Sequence, residues 1–180
     1  MYKVNDYVIY RHNVCKIKSI KDNKLYIITP IDDESLIINI PVNSNLLRKV
    51  ISSEEAKILI EKIPNISPIK NINEKNVETQ YKELLNTDNH ENLVKIIKTT
   101  YLRNENRINN KKKISDKDDK YFNLAEKYLY NELSISLNET IENIKEYIFK
   151  IVNKQTNLFF GWPFYNIIAK IYVYNTYLNV

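Results

Sequence analysis

Two histidines, one cysteine and a scatter of carboxylates are the groups in this sequence that could carry out catalysis. His12 and His90 lie far apart, in segments that read as different domains, whereas acid–base work needs groups that converge. Cys15 is the only cysteine, so the chain offers neither an intrachain disulfide nor a zinc site of the usual spacing. The densest acidic run, Asp32-Asp33-Glu34, has the form of a solvated turn tip rather than a cation cage. The single glycine, Gly161, cannot supply a P-loop, a dinucleotide fingerprint or a nucleophile elbow. The residues therefore argue against an enzyme. No cofactor, metal or small-molecule ligand is expected.

The basic residues offer a different chemistry. Arg103, Arg107, Lys111, Lys112 and Lys113 fall close together and could follow a phosphate backbone with salt-sensitive affinity. A solvated connection between helices is the plain alternative. Lys16, Lys18, Lys21 and Lys24 surround a first hairpin, where an exposed strand edge could recruit a strand from another protein. The overall excess is modest, with 27 basic and 22 acidic side chains giving a net charge of +5. That permits nucleic-acid contact without requiring it.

These residues must be positioned by two kinds of element. The first fifty residues carry β-branched and aromatic runs at 4–10, 14–20, 24–29 and 36–42, with Asp22-Asn23 as a turn signal. Pro41 stands near the end of the last run, where a lost donor is tolerated. Such runs predict a small antiparallel barrel or meander. The pattern then becomes helical. Ser52 and Glu55 have capping-box spacing before a helix at 53–63, with Ala56, Leu59, Ile60 and Ile63 as its stripe.

Pro64 and Pro68 end that helix and suggest a linker at 64–72 between domain 1–63 and a helical domain at 73–153. Four helices are readable in the second part. The first spans 73–86, with Val77, Tyr81, Leu84 and Leu85 on one face. The second starts at Asp88 or Asn89 and carries Leu93, Ile96, Ile97, Thr100 and Tyr101. After a polar segment at 103–113, Ser115 and Asp118 open the third, with Phe122, Ala125, Tyr128, Leu129 and Leu133 as its core face. Asn138 caps the fourth, whose stripe is Ile141, Ile144, Ile148 and Ile151. The fold class is α+β, a small antiparallel barrel followed by an all-α helical bundle.

The stretch from Leu158 to Val180 is long enough to span a bilayer. Asn157, Asn166, Lys170, Asn175 and Asn179 break it, and Pro163 interrupts any helix there. A membrane role is therefore not expected for this aromatic extension at 154–180, and a helix packing on the preceding bundle is preferred. The N-terminal Met-Tyr-Lys-Val-Asn-Asp has no signal-peptide core, and a single cysteine suits a cytoplasmic location.

The opening, from Tyr2 to Val14, resembles the signature of the CarD/CdnL family of bacterial transcription regulators. That signature is an aromatic residue, Gly-Asp, two β-branched residues, Tyr, Pro and a Gly-containing turn. Asp6, Val8, Ile9, Tyr10 and Val14 match it, while Asn5, Arg11 and Asn13 replace Gly, Pro and Gly. Ile38-Asn39-Ile40-Pro41-Val42 is similar to the family's strand ending in Val-Pro, and Leu47-Arg48 to its Leu/Val-Arg pair. Tyr81-Lys82, Leu85, Asp88, Leu93, Ile97 and Arg103 resemble one helical block of the family. Ile114-Ser115, Asp118, Ala125, Leu129 and Glu132-Leu133 resemble another. The collinear set ends near Asn153.

The resemblance implies a Tudor-like barrel that binds the β subunit of RNA polymerase, a module also found in the transcription–repair coupling factor. On this chain the implied polymerase-binding residues are Lys21, Asn23, Lys24 and Asn39, the last standing where the family often has Arg. It also implies a helical bundle touching promoter DNA, independently of sequence, at the upstream edge of the melted bubble. The implied DNA-binding residues are Val77, Thr79, Lys82, Arg103, Arg107 and Lys112. Val77 takes the place of the family's wedge Trp, and Glu78, Thr79 and Gln80 take the place of basic or neighbouring contacts. A second expectation follows from these departures. The chain could be an interaction module of the same fold without DNA contact, its aromatic extension binding another partner or a membrane surface.

Overall fold

The structure, a computed structural model, describes residues 1–156 of the 180. The last helix, Ile141–Thr156, takes in the first three positions of the extension expected at 154–180; the rest of it, Trp162 included, lies outside the described residues. The fold is mixed α+β, a curled five-stranded antiparallel half-barrel followed by five helices.

The strands are β1 (Tyr7–Tyr10), β2 (Asn13–Lys21), β3 (Leu25–Pro30), β4 (Ile38–Pro41) and β5 (Leu47–Lys49), in spatial order β4-β3-β2-β1-β5. Two tight turns set the register. Asp22 and Asn23 both have positive φ, as a type I′ hairpin turn requires, and Asp and Asn enter that region more readily than most residues. Arg11 and His12 also have positive φ, at 48° and 68°. A proline at position 11 could not adopt that angle, so this turn is not the one the family's Pro would make.

A register shift between Ile17 and Ser19 marks a bulge in β2, and such bulges bend and twist the sheet. The concave face gathers Val8, Cys15, Ile17, Tyr26, Ile28, Ile40 and Leu47 into one apolar cluster. Ile9 and Val14 pair across the β1–β2 ladder and are buried on the opposite face, where α4 crosses β2. The short β5 was not foreseen. Three residues give no readable alternation, and its pairing with β1 is a tertiary matter.

The helices are α1 (Ser53–Lys62), α2 (Val77–Leu85), α3 (His90–Asn109), α4 (Asp116–Leu137) and α5 (Ile141–Thr156). A 3₁₀ turn at Ile63–Asn65 follows α1. The reciprocal Ser52/Glu55 capping box forms as the spacing predicts. Asn89 caps α3 and Ser115 caps α4, each accepting a backbone N–H of the first turn. Asn138 does not cap α5. It ends α4 in the left-handed conformation, at φ 53°, and Thr140 accepts the Asn143 N–H at the start of α5.

Helix α2 begins at Val77 rather than Asn73, because Asn73 closes a turn of its own on Lys75 and Asn76. Helix α3 runs on through Arg103 and Arg107 to Asn109, where a polar connection was expected. Its C-terminal half is polar but one side is held by partners on α4 and ahead of α2.

One continuous apolar cluster joins all five helices. Helix α1 contributes Ala56, Leu59 and Ile60 to it and so shares the core of the later helices, not that of the half-barrel. The stretch 64–72, expected as a linker, is packed. Ile66 is buried, Ile69 and Ile72 lie against the core, and the Ile69 N–H donates to Thr99 Oγ1 at 2.8 Å. Lys98 reaches the same stretch from α3 and donates to the carbonyls of Ile63 (2.5 Å) and Ile66 (2.6 Å).

Candidate functional site

The residues assigned to a protein partner converge on one corner of the sheet. Lys21, Asn23 and Lys24 are exposed at the β2–β3 turn, and Asn39 is exposed on the neighbouring β4. The β3–β4 register joins them, with Leu25 opposite Pro41 and Ile27 opposite Asn39. The Val42 N–H donates to the Lys24 carbonyl at 2.9 Å. Antiparallel alternation then turns Ile40 and Ile38 toward β3 and the Asn39 backbone outward. β4 is an edge strand, blunted at one end by Pro41. Just before it, Leu36 and Ile37 are exposed, Ile37 at 65%. An edge with an outward backbone and adjacent apolar side chains can accept an added strand.

The residues assigned to DNA behave differently from one another. Val77 is 4% exposed and packs in the helical core with Tyr81 and Leu85. It has no surface from which to wedge a base step, which corrects the expectation placed on it. The apolar stripe of α2 explains this, since Val77 lies one turn from Tyr81 on the buried face. Thr79 and Lys82 are exposed, and Lys82 pairs with Glu78 at 3.1 Å. Arg103 is tied down on both sides. Its Nε donates to Asp118, and its terminal nitrogens donate to Glu74 at 2.7 and 2.8 Å. Glu74 and the buried Asp118 keep the Arg103 guanidinium firmly charged. Arg107 donates through Nε to the Lys113 carbonyl, and Lys112 is exposed.

A third cluster, which sequence reasoning missed, lies between the half-barrel and the helices. Arg48 on β5 grips Glu132 of α4 with two bonds, Nη1 to Oε1 at 2.5 Å and Nη2 to Oε2 at 2.8 Å. Arg48 Nε also donates to Asp88 at 2.6 Å. His90 Nε2 lies 2.9 Å from Glu132 Oε2, and the Ile51 N–H donates to Oε1 at 3.1 Å. Burial alone would push the Glu132 carboxyl up, but the bonds from Arg48 and His90 outweigh it and bring it to about 2. Nearby, His12 stacks on Tyr128 at 5.4 Å between ring centroids, and Lys127 pairs with Asp32. The two histidines, distant in sequence, thus both lie against α4, His90 on Glu132 and His12 on Tyr128 one turn earlier. Nothing local in the sequence links Arg48 to a glutamate 84 residues away.

The other reactive types are quiet. Cys15 is buried, and burial pushes its thiol up to about 11. Asp32, Asp33 and Glu34 are spent on Lys127, Ser35 and Lys18 respectively. Among the described residues no three His, Cys, Asp or Glu side chains are grouped to hold a metal, and no helix is long and apolar enough to cross a membrane. No family model matches the chain, and no curated protein matches it.

Proposed function

We propose that this protein is a regulator of transcription that docks on the β subunit of RNA polymerase through the open edge of its half-barrel. The single observation that carries this is the convergence of Lys21, Asn23, Lys24 and Asn39 on the β4 edge, beside the exposed Leu36 and Ile37. Edge pairing supplies affinity through main-chain hydrogen bonds, and the lysines supply attraction to an acidic partner surface. In this reading the half-barrel is Tudor-like and the helices form the bundle that reaches promoter DNA. A regulator that binds the melted promoter better than the closed one shifts melting by that difference, about tenfold for each 1.4 kcal/mol.

Burial of Val77 favours a second reading, an interaction module that docks on polymerase without a DNA wedge. Pull-down with the isolated lobe of the β subunit tests the docking itself. The proposal predicts capture by the wild-type chain and loss on Asn39→Pro, which removes the outward N–H of the edge strand. Failure of the wild-type chain to bind would sink both readings. A promoter-melting assay then separates them, since only the first predicts a longer-lived open complex.

A further inference from the structure

Arg103 is held asymmetrically. Its Nε faces inward to Asp118, at 3.1 and 3.2 Å, and Asp118 is fully buried and also accepts the Tyr81 hydroxyl at 2.8 Å. This fixes the plane of the guanidinium from the core side. The two terminal nitrogens point the other way and hold both oxygens of Glu74. Glu74 stands on the irregular stretch ahead of α2, and its side chain is 75% exposed. A surface carboxylate thus occupies the fork that a phosphate would occupy with the same two-pronged geometry.

The surroundings suit an anion better than a carboxylate plug requires. A polar cavity of about 160 Å³ opens here, lined by Glu74, Arg103, Asn106, Arg107, Asn110 and Lys112. Three cations and one carboxylate therefore line the cavity, with the buried Asp118 behind Arg103 as a second carboxylate. Arg107 commits its Nε to the Lys113 carbonyl, and Lys112 has no ion-pair partner among the described residues. Lys111 and Lys113 are exposed in the same turn. That row exceeds what one free anion needs and matches a polymer of phosphates.

We propose that this cavity binds a phosphate of a nucleic-acid backbone, and that Glu74 occupies it in the free protein and is displaced from Arg103 when the phosphate enters. Asp118 is the positioning residue that keeps the Arg103 fork facing outward. The proposal deepens the DNA half of the function above and rests on it. It is independent of polymerase docking, so pull-down with the β lobe by the Glu74→Gln variant separates failure of the one from failure of the other.

The test measures binding of a short duplex of arbitrary sequence to the full chain at low salt. Glu74→Gln keeps the shape and removes the competitor. It is expected to tighten binding about fivefold, the scale of one surface ion pair that no longer has to break. Glu83→Gln removes an equal charge from α2, away from the cavity, and is expected to leave affinity nearly unchanged. Adding Arg107→Gln and Lys112→Gln to Glu74→Gln is expected to abolish the gain and to lower the salt slope by about two phosphate contacts. Equal tightening by Glu83→Gln, or a gain that survives loss of Arg107 and Lys112, would overturn the site. Inorganic phosphate provides the other arm, followed by the amide resonances of Arg103 and Arg107. Saturation by low phosphate concentrations, with no gain for the duplex, would assign the cavity to a free anion and overturn the backbone assignment.

Discussion

Arg48 of β5 and Glu132 of α4 form a two-pronged ion pair that ties the half-barrel to the helices, with His90, Asp88 and the Ile51 N–H completing the set. Glu132 is buried, and every acceptor position it offers is directed at a donor from the junction. Removing Arg48 leaves the buried Glu132 charge with only His90 and the Ile51 N–H against it. Arg48→Ala is therefore expected to destabilise the fold by about 3–5 kcal/mol, and Arg48→Ala with Glu132→Leu by clearly less than the single change. Urea unfolding of the two variants checks this. Additive losses would mean the pair is not a unit.

The same junction makes stability depend on acid. The Glu132 carboxyl sits at about 2 in the folded state, below its ordinary 4.5. Its contribution is complete above about pH 4.5 and is lost as pH falls toward 2, on the order of 3 kcal/mol in all. Burial lowers His12 below its ordinary 6.5, so the unfolded chain takes up that proton first. Stability is expected to begin falling below about pH 6.5 and to fall more steeply below about 4.5. Urea midpoints measured from pH 7 down to pH 3 test this, and a flat series would contradict it. In Arg48→Ala the lower step should shrink, because the two Arg48 bonds that help hold Glu132 ionised are gone while the His90 bond remains.

What was legible in the sequence was what is local. Ser52 with Glu55, Asn89 and Ser115 announce helix starts because each bonds to a backbone N–H within its own first turn. Asp22-Asn23 announces a hairpin because the turn needs positive φ at both positions. The Arg48–Glu132 junction gave no such signal, since its members come from three elements and only the folded topology brings them together. Val77 was legible in two ways, as part of an apolar stripe with Tyr81 and Leu85 and as a wedge by analogy. The stripe describes its surroundings, because burial follows the helical period and analogy does not.

Lys98 is a buried cation that serves the backbone. It donates to the carbonyls of Ile63 and Ile66 in the turn that follows α1, where Ile63 O also accepts the Ile66 N–H. Burial depresses its ammonium to about 8. The unfolded chain holds that proton up to about 10.5, so the cost of burying it is relieved as pH rises through the interval from about 8. Lys98→Met keeps the length but takes the ammonium donor from both carbonyls, leaving Ile63 O only the Ile66 N–H. It is expected to destabilise by about 1–3 kcal/mol and to remove the gain at high pH. Thermal melts at pH 7 and pH 9.5 for both proteins check this, and identical pH trends would contradict it.

Val77 offers a last, sharper contrast between a core role and a DNA role. Its side chain lies against Tyr81 at the first turn of α2, inside the cluster that joins the helices. Val77→Ala is expected to cost about 1–2 kcal/mol, from lost apolar contact and a small residual cavity. A wedge at the DNA fork would instead make the change nearly silent in stability and visible in promoter melting. Val77→Trp divides the two further. In the core it overpacks and destabilises by about 1–3 kcal/mol. At an exposed fork it would leave stability unchanged and lengthen the lifetime of the melted complex. Unfolding measurements on both variants, beside a promoter-melting assay, decide between these outcomes, and a stable Val77→Trp protein with stronger melting would overturn the core assignment.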